Sequence, residues 1–555
     1  FWPYVTESIA GFHQQLGALE GLREISPGRN MQFIPYGLFR NFRALDTRDP
    51  AMPRFEHKVA KLDAGLDSKF IIHDSLVLDA TLNPDFSQIE SDEPQVTVNQ
   101  RFEVFFPEKR PFFLENAGYF QTPINLFFTR RIINPTYGGR LTGRLGPYTL
   151  GVLVSDDRGP GRLLPDFETD AGRRAYFAIA RVSRDFGSQS NFGLMFTDRE
   201  FQGAFNRVGG ADFRLKLNQH WVASGQAVAS STRCDYFTDF CTPGAYLAGP
   251  AAEFDLNRSS RGFTYNFHYQ GRSTGFRTQT GFDPRPDINW LSTNAEYMFR
   301  PESKTLLDWG PHFDVYRNYD HDGNVLNWGY TPVMFFNFTR QTHIDFGYAE
   351  EAEMLRPIDF SVLTRNIFFV RNTKFFEIES SPTRRVQFRV DYRFGRHIHY
   401  DPPAGRIPFL ANRNQADTSL TLRPTNRLQI DNTYLWFRMR DTNSRHAVFN
   451  NHIIRSKWNY QFTRAFSFRF IGEYASVLAS PQFTSLPTTK NFNADFLVTY
   501  LVHPGTAVYV GYNSNVQNLY PDLRVDADNN FLRTRDRFIN DGRQFFVKVS
   551  YLLRF

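Results

Sequence analysis

No run of this 555-residue chain approaches the roughly 18 consecutive apolar residues that a membrane-crossing helix needs. Cysteine is nearly absent: Cys234 and Cys241 are the only two, which excludes a disulfide scaffold, and their spacing is not CxxC. They flank DYFTDF, so a disulfide closing that one loop is expected in an oxidising compartment. Blocks of one charge are also missing. The 64 basic and 57 acidic residues give a formal charge of +7 but are interspersed, with no basic run or reader motif, so nucleic acid is not expected as a partner. HExxH, GxSxG and Walker-type loops are absent, and Gly209–Gly210 does not form a dinucleotide fingerprint. No cofactor or enzymatic activity is therefore expected.

What the chain has in quantity is aromatic: 59 Phe and 25 Tyr, against a mean hydropathy of −0.45. Many aromatics at low hydropathy imply apolar residues diluted by alternation, as in strands with one greasy and one wet face. In FFVKVSYLLRF, Phe545, Val547, Val549, Tyr551, Leu553 and Phe555 share one face, while Lys548, Ser550 and Arg554 share the other. Val386 to Phe394 oppose Gln387, Arg389, Asp391 and Arg393; Phe466, Phe468 and Phe470 oppose Ser467 and Arg469; Ala211 to Leu217 oppose Asp212, Arg214 and Lys216.

Turn signals fall near His73, Gly146, Gly187, Gln219, Ser260, Glu302, Arg340, Pro382, Thr425, Arg464 and Pro504, later ones recurring about every 40 residues. Between them lie a strand, a longer polar loop and a returning strand. Short turns at one end and long loops at the other are the organisation of a bacterial outer-membrane barrel. The rival with this period, a β-propeller, uses four short strands per repeat and fits poorly. Eleven turns, each flanked by two strands, with Met31–Arg43 and Gln544–Phe555 at the ends, predict a 24-stranded transmembrane antiparallel β-barrel with periplasmic termini; pairing of Leu126–Ile133 would raise the count to 26. Residues 31–555 form this barrel, and 1–30 read as a periplasmic linker or the tail of an upstream domain.

One segment fits neither helix nor strand. Residues 84–137 carry Phe105, Phe106, Phe112, Phe113 and Phe120 among Glu103, Glu108, Lys109, Arg110 and Glu115, and Pro107 and Pro111 prevent a sustained helix or central strand. A 24-stranded barrel left open would breach the permeability barrier, and 22-stranded barrels already carry plugs. The segment, the longest interruption, is expected to fold inward as a plug or gate. Its charges need partners or water, and lumen-facing Arg389, Arg393 or Arg469 are expected to supply them.

The string FFPEKRPFFLE at Phe105–Glu115, within NPDFSQIESDEPQVTVNQRFEVFFPEKRPFFLENAGYF and followed by LFFTRRI, resembles the bacterial outer-membrane family known as domain of unknown function 5916. GFDPRPDI at Gly281–Ile288 is a second match to it. The resemblance implies a C-terminal barrel usually preceded by a carbohydrate-binding-module domain of the family-nine type, and it implies no reaction.

The expected function is a plugged Gram-negative outer-membrane channel or translocation pore for a solute, glycan or polymer, in contact with outer-membrane lipid. The alternative is a non-conducting scaffold holding outer-membrane or periplasmic partner proteins through its external loops; an outer-membrane hydrolase ranks last. With about 30 residues before the first strand, a TonB-dependent transporter with its large N-terminal plug is not expected. The lumen charges Arg214, Lys216, Arg389, Arg393, Arg469, Lys548 and Arg554, against Asp212 and Asp391, predict a preference for anions. His397, His399 and Asp401 are weak metal candidates, read first as polar residues at a wet mouth, so no metal is expected. Asp526, Asp528 and Asn530 lack the Gly and closing Glu of a calcium loop.

Overall fold

The computed structural model describes residues 30–72, 75–187, 189–237 and 241–555; the segment 1–29 and the turn residue His73 lie outside them. The first eight strands are β1 Met31–Asp46, β2 Arg54–Ile72, β3 Leu76–Leu82, β4 Tyr137–Leu145, β5 Tyr148–Asp157, β6 Ala175–Phe186, β7 Ser190–Phe201 and β8 Ala204–Lys216. The next eight are β9 Trp221–Arg233, β10 Tyr246–Ser259, β11 Phe263–Arg272, β12 Ile288–Tyr297, β13 Leu306–Tyr319, β14 Val325–Phe338, β15 Thr342–Leu355 and β16 Ile367–Thr383. The last are β17 Val386–His399, β18 Phe409–Thr425, β19 Leu428–Asp441, β20 Ala447–Gln461, β21 Phe466–Ala479, β22 Thr489–His503, β23 Thr506–Gln517 and β24 Ile539–Ser550. Each pairs antiparallel with the next, and β1 closes on β24 from Tyr36↔Ser550 to Ala44↔Gly542. Leu553–Arg554 prolongs the last strand beside Phe33 and Gln32. The result is a closed 24-stranded barrel of the outer-membrane type, without free ends to the sheet order.

Side-chain alternation gives this wall its character. Along β7, Phe192, Leu194 and Phe196 are exposed, whereas Met195, Thr197 and Arg199 are buried. Outside, Trp309, Phe336 and Phe346 on β13, β14 and β15 form a stacked aromatic row. Inside, Asp79, Arg140, Asp212, Gln226 and Arg455 are buried. A polar interior and an apolar exterior invert a soluble protein and suit a bilayer.

Leu126–Ile133 does not pair as a strand. Thr129–Arg131 forms a 3₁₀ turn, and both arginines are spent on carboxylates of the same segment, Arg130 on Asp92 and Arg131 on Glu103. The wall therefore holds 24 strands, not 26. β3 and β4 are short, and between them the chain leaves the wall. Asn83 N–H donates to the Thr136 carbonyl at 2.5 Å, so the ends of the intervening segment are already in contact.

Candidate functional site

The motif Phe105–Glu115 is built around one carboxylate. Glu108 Oε1 accepts from the backbone N–H of Lys109 and Arg110 and from Arg110 Nε at 2.8–2.9 Å; Oε2 accepts from Arg110 Nη2 at 2.6 Å and Thr129 Oγ1 at 2.7 Å. Arg110 also donates to the carbonyls of Ile132 (2.6 Å) and Thr129 (2.9 Å), clamping the two halves of the segment together. Burial raises the Glu108 pKa, but these donors and the Arg110 charge outweigh it and hold the carboxyl below its ordinary value. Pro107 and Pro111 flank the clamp with fixed φ. Pro111 occupies the first turn of α1 (Pro111–Leu114), so the proline that forbids a long helix here starts a single turn.

The phenylalanines of the motif divide between three surroundings. Phe113 is buried, 2% exposed, with Phe120, Ile124, Leu126 and Ile132 in one core that continues into inward residues of β5 to β10. Phe112 and Phe120 rest over wall glycines: a Cβ on Gly138 would come 3.1 Å from the first ring, and one on Gly151 3.0 Å from the second. Phe105 meets Phe128 (4.9 Å between centroids) and Phe282 (5.3 Å), and Phe106 lies under the Arg130 guanidinium at 5.8 Å. Phe282 belongs to the GFDPRPDI string. Phe128 N–H donates to Thr280 O, Phe282 N–H to Asn125 O and Arg131 Nε to Gly281 O. The two strings that carried the family resemblance are thus in contact, far apart in sequence.

Segment 83–136 is held by inward residues around most of the circumference. Lys548 on β24 donates to the Asp85 carbonyl at 2.9 Å; Lys457 on β20 pairs with Glu90 at 2.7 Å; Arg455, also on β20, donates to the carbonyls of Asp92 and Ser91. Arg469 on β21 lies 3.8 Å from Glu90. Asn99 Nδ2 donates to Ile398 O on β17, and Arg101 bridges Glu353 on β15 (2.6 Å) and Asp359 (2.7 Å). Gln226 on β9 accepts Ile124 N–H at 2.8 Å, and Arg181 on β6 donates to Gln121 O. Asp156 and Asp157 at the end of β5 accept four backbone N–H groups from Ile133 to Tyr137 at 2.6–2.9 Å. Glu90 would be raised by burial, yet its Lys457 contact holds it below the ordinary range.

Arg389 and Arg393 do not reach this segment. Arg389 pairs with Glu377 and Arg393 with Asp391, from wall to wall, because both basic residues have a carboxylate on the same or the neighbouring strand. The segment's own charges mostly close on themselves: Lys109 on Glu90 and the Ser91 carbonyl, Arg131 on Glu103; Glu115 instead pairs with Lys69 of β2. Arg214 and Lys216 bond to Gln189 at the β6–β7 turn, and Arg554 lies exposed beside Gln32. Cys234 and Cys241 are joined in a disulfide. β17 ends at His399, leaving Asp401 in a loop; His397 bonds to Ile398 O and Arg371, and His399 to Asn99. Among the described residues the one trio with metal-ligand spacing is instead Glu253, Asp255 and His268 on β10 and β11, with Glu253 engaged by Arg272.

Two cavities flank the segment. One, of about 520 Å³, is lined by Arg101, Arg131, Arg199, Arg277, Phe102 and Phe237 among others; a second, of about 550 Å³, by Glu90, Asp92, Glu108, Lys109, Arg110 and Arg130 among others. Ile133 lines both. The Arg131–Glu103 pair lines the first cavity and the Arg130–Asp92 pair the second. Arg285, close to the first cavity, is pushed down to about 10 by burial and the charge of Arg101. The sequence carried a signal for several anchors that pattern reading passed over: Arg455 and Lys457 alternate in HIIRSKW, and Asp156–Asp157 end an otherwise apolar strand.

Residues 32–140 match the family model described as Domain of unknown function (DUF5916), spanning β1 to β3, segment 83–136 and the start of β4. No curated protein matches the chain. Among solved structures, it is similar to the siderophore receptor PirA from Pseudomonas aeruginosa (10% identity, 95% of this chain and 81% of that one, TM-score 0.46). It is also similar to a mutant ferric enterobactin receptor, PfeA, from the same organism (10%, 94% and 81%, 0.42) and to the copper transporter OprC (10%, 96% and 82%, 0.45). These are likenesses of barrel architecture alone.

Proposed function

We propose that the protein is an outer-membrane channel whose lumen is closed by segment 83–136, and that a solute passes when this plug shifts at the wall between its two cavities. The observation that carries the reading is the ring of anchors from β24, β20, β17, β15, β9, β6 and β5, which spans the lumen with one chain segment. Long loops face outward, and the start of β1 and the end of β24 face the periplasm. Arg101, Arg131 and Arg199 at the first cavity are paired with carboxylates, and Glu103 and Asp283 share its lining, so the cavity suits a hydrophilic solute. Opening requires breaking Arg130–Asp92 and Arg131–Glu103, which are partly exposed and therefore cheap to part.

The contact between Asn83 and Thr136 supplies a clean test. Replacing residues 84–135 with Asn-Gly joins β3 to β4 by a tight hairpin turn and leaves the wall intact. In planar bilayers the wild type is expected to be closed or to flicker, and the deletion to form a steady open pore. A well-folded deletion that stays closed overturns the plugged channel and favours a scaffold.

A further inference from the structure

The outer wall carries a feature the channel does not use. Lys374 on β16, Arg396 on β17 and Arg438 and Arg440 on β19 share the outward parity, since their neighbours Thr373, Leu435, Phe437 and Met439 are buried inward. Arg396 is paired in register with Asn412 on β18, and Asn412 with Arg440; one level below, Phe394, Asn414 and Arg438 form the next row, and Lys374 is opposite Phe394. The cations thus stand together toward the long-loop end, Lys374 and Arg438 level with the outward aromatic Phe394 and Arg396 and Arg440 one level beyond it, while outward Val370 and Phe368 of β16 continue past Lys374. Arg396 and Arg440, two strands apart, are about 10 Å from each other across the sheet.

None of the four forms an ion pair among the described residues. Every acidic residue of β16 to β19, namely Glu377, Glu379, Asp391, Asp417, Asp431 and Asp441, has the inward parity. The Nε atoms of Arg438 and Arg440 are buried without a hydrogen-bond partner. The opposite wall behaves differently: outward Arg207 on β8 is neutralised by Glu200 (2.6 Å) and Asp198 (3.4 Å) of β7. The outward carboxylate nearest to them is Glu350 of β15, which accepts from Tyr348 and forms no ion pair with any of the four, so the cluster keeps a net positive charge at the margin of the apolar belt.

We propose that this patch docks the phosphorylated headgroup of a glycolipid in the outer leaflet, one phosphate near Arg396 and Lys374 and a second near Arg438 and Arg440. The assignment to the outer leaflet rests on the orientation proposed above; the patch itself does not depend on the plug. The guanidinium groups suit phosphate through paired N–H donors, and the aromatic belt below receives the acyl chains.

The test uses detergent-purified full-length protein and native mass spectrometry with bisphosphorylated lipid A, its dephosphorylated form and phosphatidylglycerol. Wild type is expected to retain the bisphosphorylated lipid preferentially. The variant K374Q/R396Q/R438Q/R440Q is expected to lose roughly a thousandfold in retention, the combined effect of four surface cations on an anionic headgroup. Arg207→Gln is expected to retain it unchanged. Should the quadruple variant fail to give the heat-modifiable folded band, the pairs R396Q/R440Q and K374Q/R438Q replace it, each expected to lose about thirtyfold. Equal retention of the dephosphorylated lipid, equal retention of phosphatidylglycerol, or retention by the folded variants overturns the proposal. Bilayer conductance of the same variants is expected to be unchanged, so a failure here is distinct from a failure of the plugged channel.

Discussion

Arg140 and Glu108 show how single side chains hold this molecule together. Arg140, 2% exposed, sits on β4 between Asp79 of β3 (2.6 Å) and the Phe112 carbonyl, tying wall to plug. Arg140→Leu leaves buried Asp79 with only the longer Lys69 contact at 3.7 Å and is expected to cost about 3 kcal/mol, read as a lower unfolding midpoint in detergent; adding Asp79→Asn is expected to restore part of the loss. Glu108 and Glu90 are both held below their ordinary pKa values. Their stabilisation is therefore fully present above the ordinary glutamate value of about 4.3 and is lost as pH falls through the lowered folded value. Acidification below about pH 4 is expected to loosen the plug, raising bilayer conductance reversibly. Glu108→Ala is expected to show raised conductance already at neutral pH, with no further change on acidification attributable to that group.

At the scale of the element, segment 83–136 was visible in the sequence as aromatics and charges without a period, broken by prolines. Its conformation was not. The Glu108 clamp, the single turn at Pro111 and the contact of Phe105 with Phe282 depend on residues that sequence distance separates. The expected pinning by Arg389 and Arg393 failed because nearby wall carboxylates, Glu377 and Asp391, reach them first. Packing on the wall offers its own test. Gly151→Leu fills the socket of Phe120 and is expected to displace the 117–120 turn. Limited proteolysis of the folded barrel is expected to cut within 84–135 faster than in wild type; unchanged cleavage would mean that the plug is held by its ion pairs alone.

For the whole molecule, alternation and the spacing of short turns were enough to count the strands, since a strand's two faces differ at every second residue and a hairpin turn has its own composition. The proposed orientation, read from loop length, is testable. An epitope inserted between Asp522 and Leu523, in the long loop after β23, is expected to bind antibody on intact cells. One inserted between Arg384 and Arg385, in the short turn between β16 and β17, is expected to bind only after permeabilisation. The sequence by itself determined the barrel and a strand number of 24 to 26, because these rest on local periodicity and on the spacing of short turns. Only the tertiary structure decided that Leu126–Ile133 stays out of the wall, which wall residues grip segment 83–136, and which outward cations form no ion pair. Those are pairings across the lumen or between strands, and closure of the sheet is what brings the partners within reach.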